Sequence, residues 1–176
     1  MEKTRDLRAA SPARWLTVTA LLMAMNIALS SFGVPVPGGH FYLNDVVIAT
    51  AAILLDPLGA FMVGGVGAFL GDFFFYPAPM FVSLATHGLQ AVVISLCTRG
   101  AKPGHEKAGS VLGVVLGGVI MVIGYTLGRA FLYGTPQYAV LKLPYQILQA
   151  AVGAAASVLL CYHCGLRARF QAIFLR

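Results

Sequence analysis

The chain has 176 residues, of which 59% are hydrophobic and 10% charged, and its mean hydropathy is +0.82. That composition excludes an ordinary water-soluble domain and indicates an integral membrane protein of one compact domain. The formal net charge of +6 resides in basic residues at loops and termini, so membrane topology accounts for it better than nucleic-acid binding does.

The basic stretch 2–14 leads into an apolar run of about 18 residues without a small-residue cleavage site, which reads as a first membrane helix and not as a signal peptide. Hydropathy and turn residues predict six membrane segments over 13–32, 44–55, 57–76, 79–98, 109–133 and 141–166. The breaks carry GVPVPGGH, DP, YPAP, RGAKPGHEK and GTPQ. The expected fold class is therefore all-α: six transmembrane helices in a compact bundle. A basic N-terminus (1–12), helices one to four (13–98), a loop (99–108), helices five and six (109–166) and a tail (167–176) form a single membrane domain. Segments two and three could instead form one bent passage.

Basic residues set the expected orientation. Lys3, Arg5, Arg8 and Arg14 precede the first segment, Arg99, Lys102 and Lys107 lie between the fourth and fifth, and Arg167, Arg169 and Arg176 follow the last. With six crossings these ten of the twelve basic residues share one side, and both termini are cytoplasmic.

The stretch 39–96 is the most informative. Its first apolar segment, 46–55, covers roughly 15 Å of a hydrocarbon core ~30 Å thick. A short helix opening at Asn44-Asp45 leaves polar groups at membrane depth, where they must face protein or water. Such an arrangement suits a protein that holds a small polar ligand inside the membrane.

Other polar residues gather at a similar depth. Ser83, His87 and Gln90 are spaced i, i+4, i+7 and share a helical face on the fourth segment. Tyr125 and Arg129 are four apart on the fifth, Gln146 and Gln149 three apart on the sixth, and Asp72 ends the third. With the loop residues His40, Phe41 and Tyr42 as a cap, these groups line a cup open to the outside, because leaving them against lipid is costly. Each also has a plainer reading. Asn44 or Asp45 would N-cap the second helix. Arg129 would snorkel or pair with Asp72. His87 would be a satisfied interior histidine, and Gln146 and Gln149 interhelical glue. Tyr42, Tyr76, Tyr133 and Tyr138 fit an interfacial belt.

Small residues recur at spacing four: Ala20, Ala24 and Ala28 on the first segment, Gly67 and Gly71 on the third, Gly113, Gly117, Gly124 and Gly128 on the fifth, Ala150 and Ala154 on the sixth. Most should serve internal packing, while the long alanine ridge of the first segment suits docking of another membrane protein. Cys97, Cys161 and Cys164 fall near helix ends on the side read as cytoplasmic, where thiols stay reduced. The lone Cys161-x-x-Cys164 spacing is a weak metal signal. Neither GxxxxGK[ST], HExxH nor GxSxG occurs, so the chain is expected not to be an enzyme and to use no cofactor or metal.

At these residues the sequence resembles the substrate-binding S components of energy-coupling factor (ECF) vitamin transporters, particularly the group that includes pyrimidine-, pyridoxine- and pantothenate-type members. The resemblance rests on Asn44-Asp45, Asp56-Pro57, Gly64-Gly65-Val66-Gly67 leading to Gly71-Asp72, and the region from Gly124-Tyr125 to Gln149. It implies an ECF S-component bundle in a prokaryotic plasma membrane. It also implies capture of a vitamin or vitamin precursor from outside, with docking through Ala20, Ala24 and Ala28 to a transmembrane coupling subunit served by two cytoplasmic ATPases. The implied substrate-binding residues are His40, Tyr42, Asn44, Asp45, Asp72, Ser83, His87, Gln90, Tyr125, Arg129, Gln146 and Gln149. Where this chain has His87-Gly88, relatives often carry Lys-Gly; where it has Arg129, they often carry an acid; Gln146 replaces an asparagine. A guanidinium in place of an acid favours a carboxylate- or phosphate-bearing ligand, unless Asp72 pairs with it fully.

Two other classes compete. A structural or assembly protein would tolerate Gln149→Ala, Tyr125→Phe and His87→Ala. A small membrane enzyme or metal handler would use His40, His87 and the cysteines and would carry stoichiometric metal.

Overall fold

The structure, a computed structural model, describes residues 7–174. Lys3, Arg5 and Arg176 of the orientation argument lie outside the described residues. The chain folds as a helical bundle with one small hairpin. Five helices are long and apolar enough to cross a membrane: Pro12–Ser30, Pro57–Phe75, Met80–Gly100, Glu106–Tyr133 and Pro136–His163. A shorter apolar helix covers Asn44–Leu54. The six predicted segments are thus all helical, and the second is as short as its sequence requires.

In chain order, α1 (Leu7–Ala10) precedes α2 (Pro12–Ser30), the hairpin β1 (Val34–Val36) and β2 (Gly39–Phe41), and α3 (Asn44–Leu54). Then come α4 (Pro57–Phe61) and α5 (Gly67–Phe75), α6 (Met80–Gly100), α7 (Glu106–Gly128), α8 (Pro136–Val158) and α9 (Leu166–Phe174). Wider π turns at Met62–Val66, Arg129–Tyr133 and Leu159–His163 join α4 to α5 and extend α7 and α8.

The hairpin departs from the all-α expectation. Val34 pairs with Phe41 and Val36 with Gly39, antiparallel, around Pro37-Gly38. Proline presets the first central position of such a turn, and Gly38 takes the positive φ of 79° that the second requires. A Cβ on Gly38 would lie 2.8 Å from the Lys142 backbone nitrogen, so the hairpin tip rests directly on α8.

Helix α3 is the centre of the bundle. Nine of its eleven residues are buried, and Ile48, Ala51 and Ala52 have no exposed surface. It packs against α2, α6 and α8, so its polar N-terminus meets protein and not lipid. The chain then breaks: Leu55 and Asp56 are both extended, with ψ of 162° and 166°, which makes α3 and α4 separate helices. Neighbours satisfy the freed polar groups. Trp15 Nε1 donates to Asp56 Oδ1 at 2.6 Å, and Arg8 Nε lies 3.7 Å from Oδ2. Ser95 Oγ donates to the Leu55 carbonyl at 2.7 Å, with Arg99 Nε at 3.3 Å.

The glycine ridges are close-approach surfaces. A Cβ on Gly71 would meet Ser30 Oγ of α2 at 2.5 Å, one on Gly113 the Ile94 backbone of α6 at 3.0 Å, and one on Gly124 Thr86 Oγ1 of α6 at 2.5 Å. Glycine there lets helices meet at backbone distance, where dispersion holds them together without a hydrophobic drive. The alanine ridge behaves differently: Ala20, Ala24 and Ala28 are exposed on the outside of the bundle.

Candidate functional site

Polar side chains from α3, α5, α6, α7 and α8 converge at the end of the bundle that the hairpin covers, around a cavity that is open to solvent.

Two hydrogen-bonded chains build one wall. In the first, the Tyr42 backbone N–H donates to Gln149 Oε1 at 3.1 Å, and Gln149 Nε2 donates to Asp45 Oδ2 at 2.6 Å. Asp45 Oδ1 accepts from Gln90 Nε2 at 3.0 Å, and Gln90 Oε1 lies 2.6 Å from His87 Nδ1. In the second, Ser83 Oγ donates to Asp72 and lies 2.5 Å from Tyr125 Oη. The rings of His87 and Tyr125 stand 5.1 Å apart between centroids, which brings both chains to one place. Gly153 lets α8 reach α3 here, since a Cβ on it would lie 2.7 Å from Asp45 Cβ.

Cations occupy another part of the lining. Lys142 is buried and donates from Nζ to the His40 carbonyl, tying α8 to the hairpin. Arg129 stands over the Tyr133 ring, 5.6 Å from its centroid, and its Nη1 is buried without a hydrogen-bond partner. No ion pair joins Arg129 to Asp72 among the described residues. Burial pushes the Tyr42 phenol up to about 12, with Asp72 and Tyr76 adding to that and Arg129 opposing it. Tyr42 therefore faces the cavity as a neutral phenol that both donates and accepts.

The chain matches the family described as ECF-type riboflavin transporter, S component, over residues 12–164. It belongs to that family. Over 140 residues, 78% of this chain and 86% of the relative, it is also 34% identical to a protein of Pyrococcus woesei described as an uncharacterized protein in gap 3'region. The chain is thus a multi-pass membrane protein and a vitamin-capture component of the ECF type, from a transport family and not an enzyme family. The matching family is the riboflavin one, whereas the motifs alone resemble pyrimidine-, pyridoxine- and pantothenate-type members.

Of the twelve binding residues that the sequence nominates for this S component, nine line the cavity. His40, Tyr42 and Asn44 come from the hairpin and the start of α3. Asp72, His87 and Tyr125 come from α5, α6 and α7, and Arg129, Gln146 and Gln149 from the π turn after α7 and from α8. Asp45, Ser83 and Gln90 stand behind the lining and hold its members by the hydrogen bonds above.

The plainer readings resolve one by one. Neither Asn44 nor Asp45 caps α3: the cap position is Leu43, both lie in the first turn, and Asn44 Oδ1 is buried without a partner. Gln149 does bridge helices through Asp45, while Gln146 makes only long contacts to Met121, 3.4 Å to its carbonyl. Tyr42 and Tyr76 line the cavity, and of the four belt tyrosines Tyr76 and Tyr138 are exposed. Among the described residues no three His, Cys, Asp or Glu are placed to hold a metal ion.

Lys142 is the lining residue that sequence reasoning missed. A lysine inside an apolar helix signals an inward-facing functional group in its own right, and that signal was present in LKLPYQ. Ser30 and Met121 also line the cavity and carry no such mark.

Proposed function

We propose that this S component captures a flavin-type vitamin from outside the cell and passes it inward with a transmembrane coupling subunit and partner ATPases. The supporting observation is a solvent-open cavity at one end of a membrane bundle, lined by Tyr42, Tyr76, Tyr125 and His87 together with Gln149 and Arg129, in a chain of the riboflavin-transporter S-component family. Aromatic faces suit a planar ring system, and convergent donors and acceptors suit its polar edge and side chain. The reading takes α3 as a sixth, short membrane segment, both termini as cytoplasmic and the hairpin end as outward in a prokaryotic plasma membrane, in accord with the basic residues Arg8, Arg14, Arg99, Lys102, Lys107 and Arg167 at the opposite end. The exposed Ala20, Ala24 and Ala28 ridge is the docking surface for the coupling subunit.

Arg129 favours a variant of this reading in which the ligand carries an anionic group. Its buried Nη1 lacks a partner and Asp72 does not neutralise it, so a phosphate or carboxylate would gain a charge-assisted bond there. Equilibrium dialysis of the detergent-purified protein against riboflavin and riboflavin 5′-phosphate tests both. Riboflavin should be retained, and Arg129→Ala should weaken the phosphate ester by about tenfold to a hundredfold more than riboflavin itself. Retention of neither by the wild type rejects the flavin reading, and equal effects of Arg129→Ala on both reject the anionic one.

A further inference from the structure

The hydrogen-bond chains behind the cavity wall have a direction, and it fixes what the wall presents. The first starts from a group that can only donate, the Tyr42 backbone N–H. Its acceptor, Gln149 Oε1, sets the orientation of that amide, so Gln149 Nε2 faces the Asp45 carboxylate. Asp45 lies in the first turn of α3, where the helix dipole favours negative charge, and accepts through its other oxygen from Gln90 Nε2. Gln90 Oε1 then faces His87 Nδ1, and because an amide oxygen only accepts, Nδ1 carries the proton. A neutral His87 consequently keeps its lone pair on Nε2. The ring is 2% exposed and lines the cavity, and no described residue bonds Nε2.

The second chain ends the same way. Ser83 has one hydroxyl proton and gives it to Asp72, so the 2.5 Å contact with Tyr125 is a donation from the phenol. Tyr125 Oη is left with lone pairs only, beside His87. Two carboxylates, Asp45 and Asp72, thus orient two chains so that both end in acceptors at adjacent points of the same wall.

We infer that His87, with Tyr125 beside it, is a specificity-determining residue that accepts a hydrogen bond from an N–H or O–H donor of the bound vitamin. The inference rests on the flavin reading above. A ligand that offers only acceptors at this point would leave Nε2 desolvated and unpaired, and would be rejected on that ground.

The test combines a binding series with a readout that needs no ligand. Riboflavin affinity is measured for wild type, H87Q, H87F and Y125F by equilibrium dialysis. H87Q, whose amide oxygen can replace the Nε2 lone pair, should bind within a few-fold of wild type. H87F should lose about tenfold to a hundredfold and Y125F a smaller factor. In parallel, nitrogen-15 NMR of the ligand-free wild type should show His87 protonated on Nδ1 and bare on Nε2, and Gln90→Leu should erase that preference. An Nε2-protonated ring in the wild type, or H87F binding riboflavin as tightly as wild type, overturns the His87 assignment while leaving the flavin reading in place. A wild type that binds no riboflavin overturns the flavin reading and, with it, the donor partner assigned to His87. Should H87F fail to fold, the tautomer of the wild type and the affinity of H87Q decide the matter.

Discussion

Asp45 has both oxygens engaged by amides from other helices, Gln90 on α6 and Gln149 on α8. In a bundle with little water, such a carboxylate depends on these donors, and removing one leaves a desolvated charge under-bonded. Gln149 has a double function, because its oxygen also receives the Tyr42 N–H at the foot of the hairpin. Gln149→Leu should therefore lower stability in detergent by about 1–3 kcal/mol. Gln146→Leu, which gives up only long contacts to Met121, should cost clearly less. Thermal unfolding of the two variants against wild type provides the comparison, and equal losses would contradict the central place given to Asp45. The helical face carrying Ser83, His87 and Gln90 was legible from spacing alone. Their partners were not, since Gln90 reaches a residue 45 positions away and Gln149 one 104 positions away.

Among the elements, α3 and α2 show opposite uses of small side chains. The alanines of α3 are buried so that this 11-residue helix can sit within a ring of others. Glycines 64 and 153 on its neighbours keep those contacts close. The alanines of α2 at 20, 24 and 28 instead face outward, while Asn26 on its other side turns inward and donates from Nδ2 to the Val63 carbonyl in the π turn at 2.7 Å. That arrangement separates the two faces of α2, one tied to the bundle and one open. Ala24→Leu should accordingly leave riboflavin retention and thermal stability unchanged while reducing co-purification with a co-expressed ECF coupling subunit by tenfold or more, on the order expected when a close helix contact is wedged open. Undiminished co-purification would move the docking surface elsewhere. The AxxxAxxxA spacing was visible in the sequence; which ridges were internal and which exposed depended on how the helices pack.

For the molecule as a whole, the polar cavity lies at one end and a basic surface at the other, so function depends on which end faces out. Cys164 offers a native probe. It is exposed just beyond the last membrane helix, while Cys161 is buried and Cys97 only partly accessible. In a Cys97→Ser, Cys161→Ser background, a membrane-impermeant maleimide should label Cys164 in inside-out vesicles and not in intact cells. Labelling in intact cells would reverse the orientation and turn the cavity toward the cytoplasm.

The sequence by itself determined the membrane class, the approximate limits of the apolar helices, and the short buried second segment. It also marked the ECF S-component motifs and most residues of the cavity. These are local properties: apolar length, Pro and Gly breaks, and three- or four-residue spacing are written along one stretch of chain. Tertiary structure alone decided that Asp45, Ser83 and Gln90 stand behind the lining, that Lys142 joins it through the His40 carbonyl, and that Asp72 binds Ser83 and forms no ion pair with Arg129. It also decided that GVPVPGGH folds as a hairpin resting on α8. Each of these depends on which distant helix supplies the partner, and no spacing along the chain encodes that when every helix offers a similar apolar surface and the choice is made by packing.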